Sequence, residues 1–308
     1  TTNLISEIQE EAFSQLGGIS GAAVMINCLN GGINCLVSTP SFDNNEFSNG
    51  VSNLKWQALL NDNSKPLLNR CVGGLYSPGS TYKLISALYA LEKLKVDKYK
   101  KFYCKGFVKF GPRKFHCWKK EGHGEVDLFN AIKKSCDCYF YNLAKEIKNI
   151  DSLAQFSKEF SLGVPSGIDI PNELNGLMPD KAWKISNRGE KWQKGETLNT
   201  IIGQGFTLST PLQMTLMTSR IASGKKIKPS IIRNDNTFFE NLNFHSTNLD
   251  FVRKSMFSVV NDYDGTAFRS KLDGKYFMAG KTGTSQVRRI SKEEREKRVL
   301  KNEELQYE

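Results

Sequence analysis

The sequence predicts an α/β or α+β domain: one sheet whose strands are far apart in the chain, with a helical insertion between them. Three observations carry this. Ala22 to Cys28 and Ile33 to Ser38 are apolar runs around Asn30-Gly31-Gly32, the pattern of a β-hairpin. Helical patterns then fill the middle, the strongest from Thr81 to Leu94. Near the other end, Tyr276 to Ala279 reads as a buried strand running into Gly280.

Each element follows in order. Residues 4–16 read as a short helix, with Leu4, Ile5, Ile8 and Phe13 among its apolar positions. After the hairpin, Asn45 to Ser77 reads as irregular polar structure with at most a short helix. Pro78-Gly79 punctuates the chain, and Ser80 opens the long helical stretch. Residues 98–125 are rich in Lys, Gly and aromatics and keep no helical period. A second helix is expected from Asp127 to about Ile147, and a third from Asp151, read as its N-cap, to Phe160. Thr210-Pro211 is a cap followed by proline at the first turn, starting a helix through Met214 and Met217 to Ile221. A further helix lies near 249–261. The stretch from Arg288 to Glu308 is mostly charged and reads as an exposed helix or mobile loop. No repeat emerges and no linker splits the chain.

Composition narrows the classes. With 308 residues, 39% hydrophobic and 24% charged, the chain can bury a globular core. No run of about 18 apolar residues exists, so nothing in the sequence reads as a transmembrane helix. The net charge of +11 is read either as an anionic partner or as a Lys-rich surface. The basic residues are scattered and do not interleave with aromatics as in single-strand binders, which argues against nucleic acid.

Three Ser-x-x-Lys patterns occur: Ser52 to Lys55, Ser80 to Lys83 and Ser223 to Lys226. Only Ser80 follows Pro-Gly and precedes a long apolar helix. At the first turn its hydroxyl lies near free backbone N–H groups, with Lys83 on the same face. A serine needs a base to attack a carbonyl, and a neighbouring lysine can serve. A plain helix cap is the alternative reading of Ser80. Two further elements tell against it. Ser135-Cys136-Asp137 follows, and Lys281-Thr282-Gly283-Thr284 lies near the end, after the apolar run and between glycines that admit a substrate backbone. A Ser-x-x-Lys pair, a Ser-x-Asp or Ser-x-Asn turn and a Lys-Thr-Gly strand, in this order, mark an acyl-serine chemistry.

The chain resembles class B penicillin-binding proteins, and within them the penicillin-binding protein 2 branch of elongation-type cell-wall transpeptidases. The resemblance runs through Leu36-Val37-Ser38-Thr39-Pro40-Ser41-Phe42-Asp43, Leu67-Leu68-Asn69-Arg70 and Ser77-Pro78-Gly79-Ser80-Thr81-Tyr82-Lys83. It continues through Trp118-Lys119-Lys120, Gly122-His123-Gly124, Ser166-Gly167-Ile168-Asp169, Gly203-Gln204-Gly205 and Thr210-Pro211-Leu212-Gln213-Met214. It implies the penicillin-binding protein/serine β-lactamase-like fold, a central, mostly antiparallel sheet flanked by helices with a helical subdomain. It implies roles too. Ser80 would attack the penultimate D-alanine carbonyl of a peptidoglycan stem peptide, and Lys83 would take its proton. Ser135 would relay protons to the leaving D-alanine. Lys281, Thr282 and Thr284, with Gly283 giving room, would bind the terminal carboxylate, and the N–H groups of Ser80 and Thr284 would form the oxyanion hole. β-Lactam antibiotics would trap the same serine.

Asp137 departs from the Asn common in the wider family, although the penicillin-binding protein 2 branch uses Asp. A carboxylate beside Lys83 works against a neutral base. Either Lys281 offsets it, or Asp137 points mainly at substrate amides.

The seven cysteines are an odd number, and a domain of this size needs none as staples. Cys104, Cys117, His123 and Cys136 offer three thiolates and an imidazole, a common closed zinc set, although the intervals exceed those of a zinc finger. If Ser135 and Asp137 face the cleft, Cys136 faces away, towards residues 104–123. Some proteins resembling penicillin-binding protein 2 carry a structural zinc at these positions, with carboxylates for some thiolates. Buried free thiols, or a Cys104–Cys117 disulfide, are the alternatives. His123 is preferred to His116 as the nitrogen ligand. Cys28, Cys35, Cys71 and Cys138 read as core residues, with Cys28 and Cys35 facing each other across the hairpin in one register.

A serine β-lactamase would need a Glu-x-x-x-Asn loop; Glu196 to Asn199 is one residue short. A β-lactam sensor of the same fold is a further alternative. The resemblance makes residues 1–308 a transpeptidase domain that continues past Glu308 into further strands and a terminal helix. Without these, weak stability and little turnover are expected. A pedestal and a membrane anchor before Thr1, a SEDS-type glycan polymerase as partner and a place on the periplasmic face of the inner membrane are implied as well.

Overall fold

The computed structural model describes residues 1–48, 50–234 and 237–285. The chain opens with α1 (Ser6–Leu16), then the strands β1 (Gly21–Ile26) and β2 (Ile33–Thr39). These form an antiparallel hairpin in which Gly21 faces Thr39 and Met25 faces Cys35. That register sets Cys35 opposite Met25, and Cys28 falls beyond the strand, so the two cysteines are not ladder partners. Three short helices follow, α2 (Asn44–Ser48), α3 (Asn53–Asn61) and α4 (Arg70–Gly73), where irregular structure is expected. None of α2 or α3 is buried, so neither needs the apolar period that would reveal it. Ser52 accepts a hydrogen bond from Lys55 N and caps α3, which explains that Ser-x-x-Lys pattern without chemistry.

The centre of the molecule is α5 (Lys83–Glu92), every residue of which is buried. Its apolar residues place it in a core, and its buried polar residues Lys83, Ser86 and Glu92 are each hydrogen-bonded. It is ringed by α6 (Leu128–Lys133), α7 (Asp137–Glu146), α8 (Ile150–Lys158) and α12 (Ser246–Asn261). Before α6, residues 98–125 hold β3 (Phe102–Cys104), β4 (Phe107–Phe110), β5 (Arg113–His116) and β6 (Gly124–Val126). They pair as two small antiparallel sheets, β3 with β6 and β4 with β5. After α8 come α9 (Lys181–Arg188), α10 (Lys194–Thr200) and α11 (Pro211–Ser223). Thr210 and Gln213 cap α11 reciprocally, each side chain accepting the other's backbone N–H. A smaller core lies under the hairpin, where Ile26 and Ile33 meet Val72, Leu212, Leu216 and Ile227.

Four further expectations change. The helix expected from Asp127 to Ile147 is two helices, α6 and α7, broken at Ser135, whose φ is +52°. A run of helix formers did not reveal this break, because it is held by tertiary contacts described below. The cap of α8 is Asn149, which accepts Asp151 N, rather than Asp151 itself. Ser80 lies in a 3-10 turn, Gly79–Tyr82, and the α-helix starts at Lys83. Tyr276 to Ala279 is not a buried strand. Tyr276 and Phe277 are 77% and 76% exposed, and the run pairs with no strand among the described residues. An apolar run becomes a strand only when a neighbour completes its ladder. Here Met278 and Gly280 are tied to α12 instead, through Asn261 Nδ2 and Met256 O. The charged stretch from Arg288 lies outside the described residues. Among those described, no helix is long and apolar enough to cross a membrane.

Candidate active site

Ser80 sits on the 3-10 turn before α5, and the backbone packs around it with no spare room. Gly79 has φ +55°, and a Cβ there would lie 2.4 Å from Thr284 O. Gly203 has φ +69°, and its Cβ would lie 2.3 Å from Gly79 O. The Gly79 N–H donates to Gly203 O at 2.8 Å. Three distant segments, at 79, 203 and 284, thus meet backbone to backbone, as only glycine allows. Gln204 Nε2 adds a bond to Thr284 O at 3.2 Å. The Thr284 N–H has no acceptor among the described residues.

Lys83 projects from the first turn of α5 into a fully buried pocket. Its Nζ donates to Ser135 O at 2.9 Å, Ser135 Oγ at 3.3 Å and Asp137 Oδ1 at 2.6 Å. Phe140 presents its ring 5.6 Å away. Three donors meet three acceptors, which is the complete complement of an ammonium group. Ser80 Oγ makes no hydrogen bond of its own among the described residues.

The left-handed Ser135 is what turns both its carbonyl and its hydroxyl onto Lys83. Trp118 holds this turn from the other side. Its Nε1 donates to Lys134 O and Ser135 O, both at 3.1 Å, and its backbone N–H donates to Asp137 Oδ2 at 3.0 Å. Asp137 is therefore spent on Lys83 and Trp118, not aimed at substrate amides.

Lys281 is half-buried and donates to Thr282 O at 3.0 Å and, more weakly, to Thr282 Oγ1 at 3.4 Å. Burial first, then the charge of Lys83, pushes its ammonium down to about 7, with Asp137 opposing. Thr282 Oγ1 pairs with Thr266 Oγ1 at 2.8 Å, and Thr266 N–H donates to Lys133 O at 3.4 Å. Asp264, two residues earlier, pairs with Lys133 at 2.8 Å and Lys134 at 3.0 Å, which holds its carboxyl down at about 2. The loop 262–268 thus ties the Lys-Thr-Gly segment to the Ser135 turn. Sequence reasoning missed Thr266 and Trp118. Trp118 lies in a motif shared with the family, but its indole and its backbone N–H act on a turn that only the fold brings to it.

The structure places the eight predicted residues near one another: Lys83 is hydrogen-bonded to Ser135 and Asp137, Lys281 feels the charges of Lys83 and Asp137, and Thr282, Gly283 and Thr284 run past Thr81 and Gly79, the neighbours of Ser80. Glu196 is committed elsewhere. Its Oε1 accepts from Lys184 Nζ at 2.7 Å and its Oε2 from Gln193 N at 2.8 Å.

On the far side of Asp137, the ligand atoms of Cys104, Cys117, His123 and Cys136 all lie within 4.8 Å of one another. His123 Nδ1 is 3.6 Å from both Cys104 Sγ and Cys117 Sγ. Zn–S and Zn–N bonds of about 2.3 and 2.0 Å at tetrahedral angles require a nitrogen–sulfur edge of about 3.5 Å, so the set fits a zinc ion. The seven cysteines are free thiols, so no Cys104–Cys117 disulfide is present. Cys138, read as an ordinary core residue, also reaches Cys117 and Cys104. Hydrogen bonds from Cys136 and Cys138 pull the Cys117 thiol down, while donating to Cys117 pushes both partners up. His116 is exposed on β5 and outside the cluster.

Comparison with known proteins agrees with this geometry. Residues 21–300 match the family described as penicillin binding protein transpeptidase domain. The chain is 38% identical over 302 residues to the peptidoglycan D,D-transpeptidase MrdA of Acinetobacter baumannii, covering 94% of this chain and 44% of that protein. It thus spans less than half the length of this curated relative. Among solved structures, it is similar to penicillin-binding protein 2 of Helicobacter pylori in a complex with MreC. There the TM-score is 0.88 and the identity 38%, over 92% of this chain and 54% of that one. Penicillin-binding protein 2 of Pseudomonas aeruginosa, in complex with WCK 5153, gives a TM-score of 0.86 and 34% identity over 93% of this chain and 67% of that one. These likenesses show the expected mixed helix-and-strand fold. The chain belongs to the penicillin-binding protein transpeptidase family.

Proposed function

We propose that this chain is the catalytic domain of a peptidoglycan D,D-transpeptidase that works through an acyl-serine at Ser80. The observation that supports the reading is the hydrogen-bonded set Lys83, Ser135 and Asp137, with Lys83 three residues after Ser80 and within charge range of Lys281, in a chain of this family.

Ser80 Oγ attacks the carbonyl of the penultimate D-alanine, its proton passes to Lys83, and the bond to the terminal D-alanine breaks. A neutral amine has two N–H groups and one lone pair, so the base form of Lys83 must give up one of its three acceptors. The lone pair freed in this way takes the Ser80 proton. The resulting ammonium passes a proton to Ser135 Oγ, 3.3 Å away, as Ser135 gives its own hydroxyl proton to the leaving amine. Lys281 and the hydroxyls of Thr282 and Thr284 hold the terminal carboxylate. The N–H groups of Ser80 and Thr284 receive the oxyanion. An amine of a neighbouring stem peptide then takes the acyl group, restoring Ser80 and forming the cross-link. A β-lactamase reading has no support in Glu196, whose oxygens are both occupied.

Cys104, Cys117, His123 and Cys136 hold a structural zinc in this reading. When bound, the ion supplies a cross-link between residues 104–123 and the Ser135 turn. A membrane anchor, the periplasmic face of the inner membrane and a SEDS-type polymerase partner are carried over from the family resemblance. MreC is a partner of the H. pylori relative.

The test is intact mass after incubation with a penicillin. One adduct per chain, slow to decay and absent in Ser80→Ala, is expected. No adduct on a folded chain would remove the central claim, and rapid loss of the adduct would turn the reading to a β-lactamase.

A further inference from the structure

The β4–β5 hairpin and the turn after it form a concentration of cations that the reaction just described does not use. From Lys105 to Lys120 the chain carries six cationic residues and no Asp or Glu. These are Lys105, Lys109, Arg113, Lys114, Lys119 and Lys120, all exposed. None pairs with a carboxylate among the described residues. By contrast, Lys100 and Lys101 at the base of the lobe pair with Glu146 and Glu125. The unpaired cations are crowded as well. Lys109 lies directly opposite Lys114 in the hairpin register, an arrangement in which like charges oppose pairing. Lys105 and Lys114 both set their ammonium groups over the Phe107 ring, at 5.1 and 5.0 Å. A ring that attracts two cations draws together charges that repel. The nearest carboxylate in the chain, Glu121, follows the cluster but forms no ion pair with it among the described residues.

The cluster's position says what its counter-charge belongs to. Lys119 and Lys120 directly follow Trp118, whose N–H and indole hold Asp137 and Ser135. The patch is therefore continuous with the wall of the cleft. Phe110 and Phe115 pack towards the core instead of offering faces for stacking bases.

Building on the transpeptidase reading, we propose that this hairpin binds the free carboxylates of a peptidoglycan strand and so guides the polymer's stem peptides towards the cleft. A glycan strand carries its peptide carboxylates at intervals, so several weak contacts add along one strand. Binding of this kind is strong at low ionic strength and fades as salt screens it.

The experiment is co-sedimentation of the chain with purified insoluble peptidoglycan, for wild type and for the triple variant Lys109→Glu, Arg113→Glu, Lys114→Glu. A second triple variant carries Gln at the same positions. Acylation by a fluorescent penicillin is measured in parallel and reports the fold and the catalytic reading separately. The expected result is a loss of at least fivefold in sedimented protein for both variants, with acylation unchanged and wild-type binding lost at high salt. Equal sedimentation of variants and wild type would overturn the inference, even if acylation proceeds normally. So would binding of the wild type to phosphatidylglycerol vesicles with none to peptidoglycan. Absence of acylation in the wild type would count against the catalytic reading instead, whatever the sedimentation shows.

Discussion

Asp137 joins Trp118 to Lys83: one carboxylate oxygen takes the Trp118 N–H at 3.0 Å and the other takes Lys83 Nζ at 2.6 Å. The lobe that holds the Cys/His cluster and the lysine beside the nucleophile thus share one side chain. Asp137→Asn keeps one acceptor for Lys83 but turns an N–H towards Trp118 N–H, a clash of donors. It should slow acylation by about ten- to a hundredfold, the range expected for losing ~1.5–3 kcal/mol of charged hydrogen bonding. Asp137→Ala leaves Lys83 buried without its counter-charge and should lower stability by about 3–5 kcal/mol. Stopped-flow acylation and thermal melts measure the two effects. An Asn variant with wild-type rates would sink this account.

Thr266 reaches substrate only through Thr282. Thr266→Val removes the hydroxyl that meets Thr282 Oγ1 at 2.8 Å. A net loss of about 1 kcal/mol is expected for such a bond, so acylation efficiency should drop about fivefold, mainly through weaker binding of the carboxylate. Thr266→Ser should restore it. If Ser and Val variants behave alike, the effect is one of packing.

Lys281 sets a pH dependence in two opposite directions. Its ammonium is pushed down to about 7, so the charge that binds a carboxylate is lost as pH rises through 7. Acylation efficiency by a penicillin should fall along that limb, and Lys281→Gln should flatten it. Stability moves the other way. The unfolded lysine still holds its proton up to about 10.4, so between about 7 and 10 the unfolded chain binds more protons than the folded one. The lysine's contribution therefore makes folding more favourable across that window. Melting temperatures of wild type minus Lys281→Gln, recorded against pH, should rise from pH 7 to 10.

The Cys/His cluster predicts one zinc ion per chain by native mass spectrometry. Cys117→Ser or strong chelation should remove it and lower the melting temperature by several degrees. Acylation should weaken in parallel, because Cys136 lies between Ser135 and Asp137. Full occupancy in Cys117→Ser would exclude the assigned ligand set.

The proposed catalytic side chains stand out in the sequence because their types form short local patterns, and Ser80 differs from Ser52 and Ser223 in the Pro-Gly before it and the long apolar helix after it. The Cys/His cluster is suggested by residue type alone. What escaped was set by contacts across the fold. The break at Ser135 depends on Lys83 and Trp118, neither of which is near it in the chain. The strand expected at Tyr276 depended on a neighbour that composition cannot supply. Thr266 looked like any threonine before its hydroxyl was seen against Thr282.

The meeting of Gly79, Gly203 and Thr284 has a consequence for how this cleft can change over generations. At Gly79 and Gly203 even a single methyl group would collide with backbone from another segment, so mutation there removes the fold before it alters selectivity. Adaptive variation, including any escape from an inhibitor, is thereby channelled to the rim, where residues such as Gln204 touch the same segment through replaceable side-chain atoms. The floor of the cleft is a fixed template, and its evolvable part is the border.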